Sequence, residues 1–331
     1  MNDPLLLSRR DLLRILTATA ITAALISARP GEAVAAAKMG GPHPVRWVPG
    51  IQLYTLGLTS HDDLAGTFKR LATIGYVEVE LAGHYERSAS DLQAALYDAR
   101  LRCPAVHVST RPEAGRWDLS GDLSKLASNL KSLGSHYAVV SMPLLPDRIY
   151  NVLQHPPAGF DTAAASRLYA SLELDDWKRT ADLLNEKGAA LAKRGLRLAY
   201  HNHGFEFVPL PGGTNGFQTL IEHTDAKLVD FQLDIGWAVS AQQQLRALFA
   251  LLGDRLRLLH LKDVSRPSTN VMDLASTDIG TGIVNWNELV GLVGHSRIEH
   301  MFVEQETPFA TTPMDAVRVD YAFLTKLFAA T

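Results

Sequence analysis

Six short β-rich runs of this chain close on side chains that titrate or coordinate. One ends Glu78-Val79-Glu80 with His84 just beyond, and the next carries His107. Later runs close on His201-Asn202-His203 with Glu206 following, on Asp234, on His260 and on Glu304. Taken singly, a strand-end histidine reads as a hydrogen-bonded core group, and a strand-end carboxylate reads as the N-cap of the next helix. The set reads differently. His201, Asp234, His260 and Glu304 close four successive runs, and imidazole and carboxylate donors converging on one point are what a divalent ion takes as ligands. The expected cofactor is therefore one divalent cation, of the Mn, Co, Zn or Mg kind.

Convergence needs a scaffold that brings strand ends together. Strand-like runs lie at Gly50–Thr55, Tyr76–Leu81, Leu101–Val108, His136–Met142, Leu196–His203, Leu228–Asp234, Leu256–Leu261 and Ile298–Glu304. Between them come amphipathic stretches such as Asp62–Ile74 and Asp91–Arg100. Trp177–Lys193 sets Ala181, Leu184 and Leu191 on one helical face, and Ala241–Leu252 and Met314–Phe328 show the same pattern. Gly134 and Gly195 each stand just before a strand, as helix C-caps do. Eight strand–helix units predict an α/β fold, a single-domain (β/α)8 TIM barrel with its site at the C-terminal strand ends. A dinucleotide fold would need a Gly-rich turn after the first strand, and Thr55–Ser60 holds a single glycine. Pro143–Ser171, with four prolines, is the longest irregular segment. It follows the fourth strand and is expected to serve as a lid or as a contact in a homo-oligomer.

The chain has 331 residues, 47% of them apolar, with 32 basic and 35 acidic residues and a formal charge of −3. This balance leaves no positive surplus for a phosphate backbone, which argues against a nucleic-acid partner. The lone Cys103 excludes an internal disulfide and a multi-thiolate zinc site. Ser8-Arg9-Arg10-Asp11-Leu12-Leu13-Arg14 precedes an uncharged run of 14 residues, Ile15–Ala28, too short to span a bilayer. The small-residue tract Ala35-Ala36-Ala37 follows. Residues 1–37 thus read as a twin-arginine-type export signal and 38–331 as the barrel. Removing the signal takes away four basic and three acidic residues and moves the charge from −3 to −4. The mature protein is expected in the periplasm or outside the cell, with no membrane attachment.

The chain resembles the xylose isomerase-like barrels, the sugar phosphate isomerases/epimerases, from about Gly50 to Phe328. The resemblance rests on Gly50-Ile51-Gln52-Leu53-Tyr54, on Tyr200-His201-Asn202-His203 with Glu206-Phe207, and on Asp234-Ile235-Gly236-Trp237. It continues in His260-Leu261-Lys262-Asp263, in Gly280-Thr281-Gly282-Ile283-Val284-Asn285-Trp286, and in Val303-Glu304-Gln305. Family members hold a divalent metal with Glu, Asp, His and Glu, and the last three fall on Asp234, His260 and Glu304. His201 stands in place of the first Glu, with His203 as a rival one pleat on. The tyrosine-histidine pattern is closer to the inosose dehydratase-like branch than to the ketohexose epimerases. By the same resemblance the substrate arginine falls on Arg266, and Trp237 stands where epimerases place a substrate histidine.

Such a site implies removal of a proton next to a sugar ketone, with an enediolate whose charge is stabilised as it forms. Glu304 is the expected base, His203 and Glu206 are candidate acids or second bases, and Lys262 is a candidate for neutralising a developing oxyanion. Glu80, His107 and Trp286 complete the expected substrate contacts. An epimerase works most simply with two carboxylate bases on opposite faces of its substrate. His201 breaks that symmetry and brings in one-base chemistry, a dehydratase or keto-glycoside lyase. Export favours an unphosphorylated carbohydrate. Another class remains, an exported carbohydrate-binding barrel that has lost turnover, and metal analysis separates it from an enzyme. DNA-repair endonucleases share the barrel but demand a basic cleft, which this charge does not supply.

Overall fold

The structure, a computed structural model, describes residues 47–57 and 63–330. The expected export signal, residues 1–37, lies outside them. Eight parallel strands form a nearly closed barrel: β1 Gly50–Gln52, β2 Glu78–Glu80, β3 Ala105–Val108, β4 Tyr137–Val140, β5 Arg197–His201, β6 Val229–Asp234, β7 Leu256–Leu261 and β8 His300–Val303. β8 pairs with β1 through Gly50 opposite Phe302, and isolated bridges (Glu78 with Arg102, Leu81 with Val106) link β2 to the β3 segment. All eight predicted runs are present, trimmed by one to four residues at their ends except β7, which matches residue for residue.

The strands read as continuous apolar runs because they are covered twice, by the barrel interior on one side and by the helices on the other. Period-two alternation then stacks the inward residues in layers. Ala105, Tyr137, Val139, Ala199, Leu258 and Phe302 form a dry inner cluster. Two residues further along β3, β5, β7 and β8 come His107, His201, His260 and Glu304. The alternation that packs the lower barrel therefore also aims the polar layer at the axis, at the strands' C-terminal ends. The opposite end is closed by ion pairs, with Arg197 on Asp230 (2.7 Å) and on Glu299 (3.0 Å).

Helix boundaries follow local chemistry. Asp63, Ser88, Asp122, Asn215 and Thr312 each cap a helix through a side-chain oxygen. Gly134 and Gly195 adopt φ of 78° and 74°, the left-handed turn expected of them. Pro143–Ser171 departs from expectation: it carries two helices, Asp147–Gln154 and Thr162–Tyr169. Pro146 starts the first, and Asp161 caps the second by accepting from the Ala164 N–H. The prolines mark helix boundaries rather than a structureless loop. No described helix is long and apolar enough to cross a membrane.

Candidate active site

His201, Asp234, His260 and Glu304 come together as the sequence predicts. Each offers a ligand atom, these atoms lie within 4.8 Å of one another, and all four residues are buried. Asp234 fulfils both readings of a strand-end carboxylate. Its Oδ1 accepts the Trp237 N–H (2.8 Å) as the N-cap of helix Ile235–Ser240, which leaves Oδ2 turned to the Lys262 ammonium at 3.0 Å.

Beneath the tetrad a polar chain fixes the imidazoles. The Glu80 carboxylate accepts from Gln52 Nε2 (2.8 Å), Gln232 Nε2 (2.8 Å) and His260 Nε2 (2.5 Å). Because the Gln232 amide nitrogen must face that carboxylate, its Oε1 faces His201 Nδ1 (3.0 Å) and His107 Nε2 (3.2 Å) and receives their protons. His201 thus keeps Nε2 bare, and His260 turns Nδ1 toward Glu304 Oε2 (2.7 Å) and Asp234 Oδ2 (3.7 Å). A histidine whose second nitrogen donates to a carboxylate or carbonyl is how proteins orient metal ligands. The bare His201 Nε2, the buried carboxylates of Asp234 and Glu304 and the mixed nitrogen–oxygen donor set fit a divalent ion.

The charges are strongly coupled. Lys262 is fully buried, with Nζ 2.7 Å from Glu306, 2.8 Å from Glu304 and 3.0 Å from Asp234. Burial opposes its charge, but those carboxylates override it and hold its proton affinity well above the ordinary lysine range. Burial likewise opposes the Glu304 anion, and Lys262 and His260 pull its proton affinity well below the usual value. Glu80 is held ionised, down to about 2, by His107 and His260 against its burial. His201 and His203 are kept neutral by burial and neighbouring positive charge, His203 down to about 3. Gly236 permits the compact arrangement, since a Cβ there would meet Lys262 Cγ at 2.7 Å.

A cavity of about 410 Å³ opens over the tetrad, and His107, His201, His203, Trp237 and Glu304 line it. His203, the rival ligand, stands outside the tetrad, with its buried Nδ1 unpartnered. Trp237 Nε1 is also an orphan.

Four expected contacts lie elsewhere. Glu80 is wholly buried below His260 and positions that ring rather than substrate. Glu206 is absent from the cavity wall: it accepts from the Tyr200 hydroxyl (2.9 Å) and the His203 N–H (2.8 Å), and burial pushes its proton affinity up to about 8. Arg266 is exposed on the loop after β7, paired with Asp273 at 3.4 Å. Trp286 packs on Phe323 and donates Nε1 to Asp263, whose carboxylate also gathers the Gly280, Gly282 and Val284 N–H groups. In both cases a loop conformation invisible in the spacing turned the side chain away.

Sequence reasoning missed Gln52, Gln232, Glu306, Tyr54 and Arg116. Gln232 lies two residues before Asp234 on the same strand face, so period two points to it, whereas Glu306 stands beyond the end of β8, where strand alternation no longer applies. Tyr54, Arg116 and Glu306 line the cavity. Arg116 comes from the β3 loop, where no strand pattern singles it out.

An eight-stranded parallel barrel with imidazoles and carboxylates at its C-terminal mouth is a recurrent enzyme class. The chain belongs to the xylose isomerase-like TIM barrel family, whose model matches residues 68–327. It is 23% identical to the inosose dehydratase of Geobacillus kaustophilus over 259 residues, covering 74% of this chain and 75% of that one. Against the inosose dehydratase of Bacillus anthracis it is also 23% identical, over 155 residues that take in 43% of this chain, and it spans about half (51%) of that relative's length. A sugar phosphate isomerase/epimerase from Parabacteroides distasonis shares the fold at a TM-score of 0.62 and 24% identity, over 87% of this chain and 97% of that one. The IolI protein, solved with a bound zinc atom, shares it at 0.56 and 14%, over 85% and 98%.

Proposed function

We propose that this protein labilises a proton adjacent to the ketone of an unphosphorylated keto-sugar, with Glu304 as base. The observation that carries the reading is the tetrad at the floor of the cavity, in which Glu304 is at once a donor to the cluster and part of the wall a substrate meets. A divalent ion, when bound, supplies Lewis-acid stabilisation to the oxygen on which charge develops. The chain's residues do the rest. Glu304 is ionised and takes the α-proton. Lys262 remains an ammonium and offsets the carboxylate charge around the reacting group. His203, neutral and with Nδ1 unpartnered, is the second proton carrier of the cavity. Trp237 Nε1 is a donor awaiting a sugar oxygen.

The tetrad's imidazole at position 201 favours a one-base course, α-proton removal followed by loss of the β-oxygen, over two-base epimerisation. The dehydratase names of the sequence relatives agree with that course. Each cationic side chain of the cavity wall has a carboxylate beside it, Arg111 with Asp147 (2.8 Å) and Arg116 with Glu113 (3.2 Å), so the wall offers no net positive charge to a phosphate, which supports a substrate without one. We assign its place of work to the periplasm or the cell exterior, on the strength of residues 1–37.

The test is solvent deuterium exchange into unphosphorylated keto-sugars with the metal-loaded protein. Glu304→Gln keeps shape and removes basicity, so exchange falls by at least about 100-fold. Exchange at the wild-type rate in that variant, or product formed without α-proton loss, overturns the reading.

A further inference from the structure

The cavity is asymmetric. Its tetrad side comes from β5 to β8, whereas its far side is built from the loops after β3 and β4, closed by Met272 from the loop after β7. That far wall groups Met142, Pro143, Leu145, Tyr150 and Leu153 beside Met272 as an apolar patch, in a wall that also carries the polar side chains Ser109, Arg111, Arg116, Ser141 and Gln154. It is a held surface. The Tyr150 hydroxyl donates to the Pro112 carbonyl (3.3 Å), and the Arg111 guanidinium covers one face of its ring at 4.7 Å. The Val271 N–H donates to Ser166 Oγ (3.1 Å), which ties the β7 loop to helix Thr162–Tyr169. Stacked rings run from the site toward this wall, His203 on Phe205 (5.5 Å) and Phe205 on Tyr169 (4.8 Å).

Sugar hydroxyls placed against that apolar patch would give up water and find no partner on it. A flat apolar ring gives up no hydrogen bonds there and buries its faces. We propose that the far compartment receives an aryl aglycone, so that the substrate is an aryl keto-glycoside with its sugar at the tetrad. This rests on the proton-abstraction reading and narrows its substrate class.

The chemistry fixes the ketone. If the glycosidic oxygen is the group lost, it sits on the β-carbon, which is C1; the α-carbon is C2 and the carbonyl is C3. The C2–H bond breaks with its proton passing to Glu304, and its electron pair moves into C2–C3 as the carbonyl π pair moves onto the C3 oxygen. When the C3 carbonyl re-forms, the C2–C3 pair shifts into a C1–C2 double bond as the C1–O bond breaks. The aryloxide leaves with the C1–O pair and takes a proton from water, and the Glu304 proton neutralises the hydroxide left behind. An aryloxide is a better leaving group than an alkyl alkoxide, so no dedicated acid is needed in the apolar compartment.

The experiment is calorimetric titration of the full protein with phenyl and methyl 3-keto-D-glucopyranosides, in both anomers. The expected result is at least about ten-fold tighter binding of a phenyl glycoside. Leu153→Asn, in helix Asp147–Gln154, and Met272→Gln, on the loop after β7, both partly exposed, should each bring that preference to within about three-fold while leaving the methyl glycoside's affinity unchanged. Equal binding of the two glycosides by the wild type, or a preference surviving both variants, overturns the proposal. Deuterium exchange on the methyl glycoside separates the two levels. Exchange without aryl preference rejects the compartment alone, and aryl preference without exchange on any keto-sugar keeps the compartment and rejects the chemistry.

Discussion

Glu80 touches no part of the cavity, yet its replacement is expected to weaken the tetrad's hold on an ion. Its carboxylate accepts three donors, from Gln52, Gln232 and His260. In Glu80→Gln an amide nitrogen replaces one oxygen, so at least one accepted bond becomes donor against donor whichever way the amide turns. If the nitrogen faces His260, that ring loses the acceptor that keeps its proton on Nε2. If it faces Gln232, that amide is driven to rotate and the proton of His201 loses its acceptor, while His107 keeps the remaining oxygen at 3.3 Å. Losing one charge-assisted bond is worth roughly 1.5–3 kcal/mol. Outer partners of metal-bound histidines typically contribute about 10–100-fold in affinity, a matching scale. The assay is calorimetric titration of the metal-stripped wild type and variant with Mn, Co and Zn, with circular dichroism as a check of fold. Unchanged affinity in a folded Glu80→Gln protein would refute the assignment of Glu80 as the group that orients His260.

Lys262→Met removes the ammonium shared by Asp234, Glu304 and Glu306; the variant should bind a divalent ion at least about ten-fold more tightly and melt at lower temperature in chelator, and weaker binding would contradict the charge balance described above. Asp320 is buried, its Oδ1 accepts the Ile279 N–H at 2.7 Å, and its Oδ2 has no partner; burial raises its proton affinity from 3.8 to about 7. A folded-state value above the unfolded one means stability present at low pH and lost as pH rises toward 7. Asp320→Asn keeps the Ile279 bond, so at pH 8 it should be more stable than the wild type by roughly 2–4 kcal/mol, with the difference narrowing as pH falls below about 7 and closing near pH 4; thermal melts across that range check it. Arg266→Ala, on the exposed loop, should leave exchange kinetics within about two-fold of wild type, whereas Arg116→Ala, on the cavity wall, should raise KM with little change in kcat.

The sequence by itself determined the barrel and the tetrad. Eight apolar runs spaced by amphipathic segments admit few arrangements, and strand periodicity carries His201, Asp234, His260 and Glu304 to one face and one end. His201 rather than His203 joins the cluster because β5 ends at His201 and the chain then turns into the short helix Phe205–Phe207. What lies beyond the strand ends was decided by tertiary structure alone. Arg266 and Trp286 sit at spacings that suit a substrate contact, but Asp263 gathers the glycine loop around itself and takes the Trp286 indole with it. Glu206 is spent on Tyr200 and on the backbone of His203. Conversely, Glu80, Gln52 and Gln232 act together only because β1 and β2 pair side by side, with Gln52 opposite Glu80, while β6 faces them across the barrel and brings Gln232 from 152 residues away. Periodicity fixes which way a strand residue points, because the backbone alternates whatever surrounds it. A loop side chain is aimed by the partners it finds, and those are known only once the chain has closed.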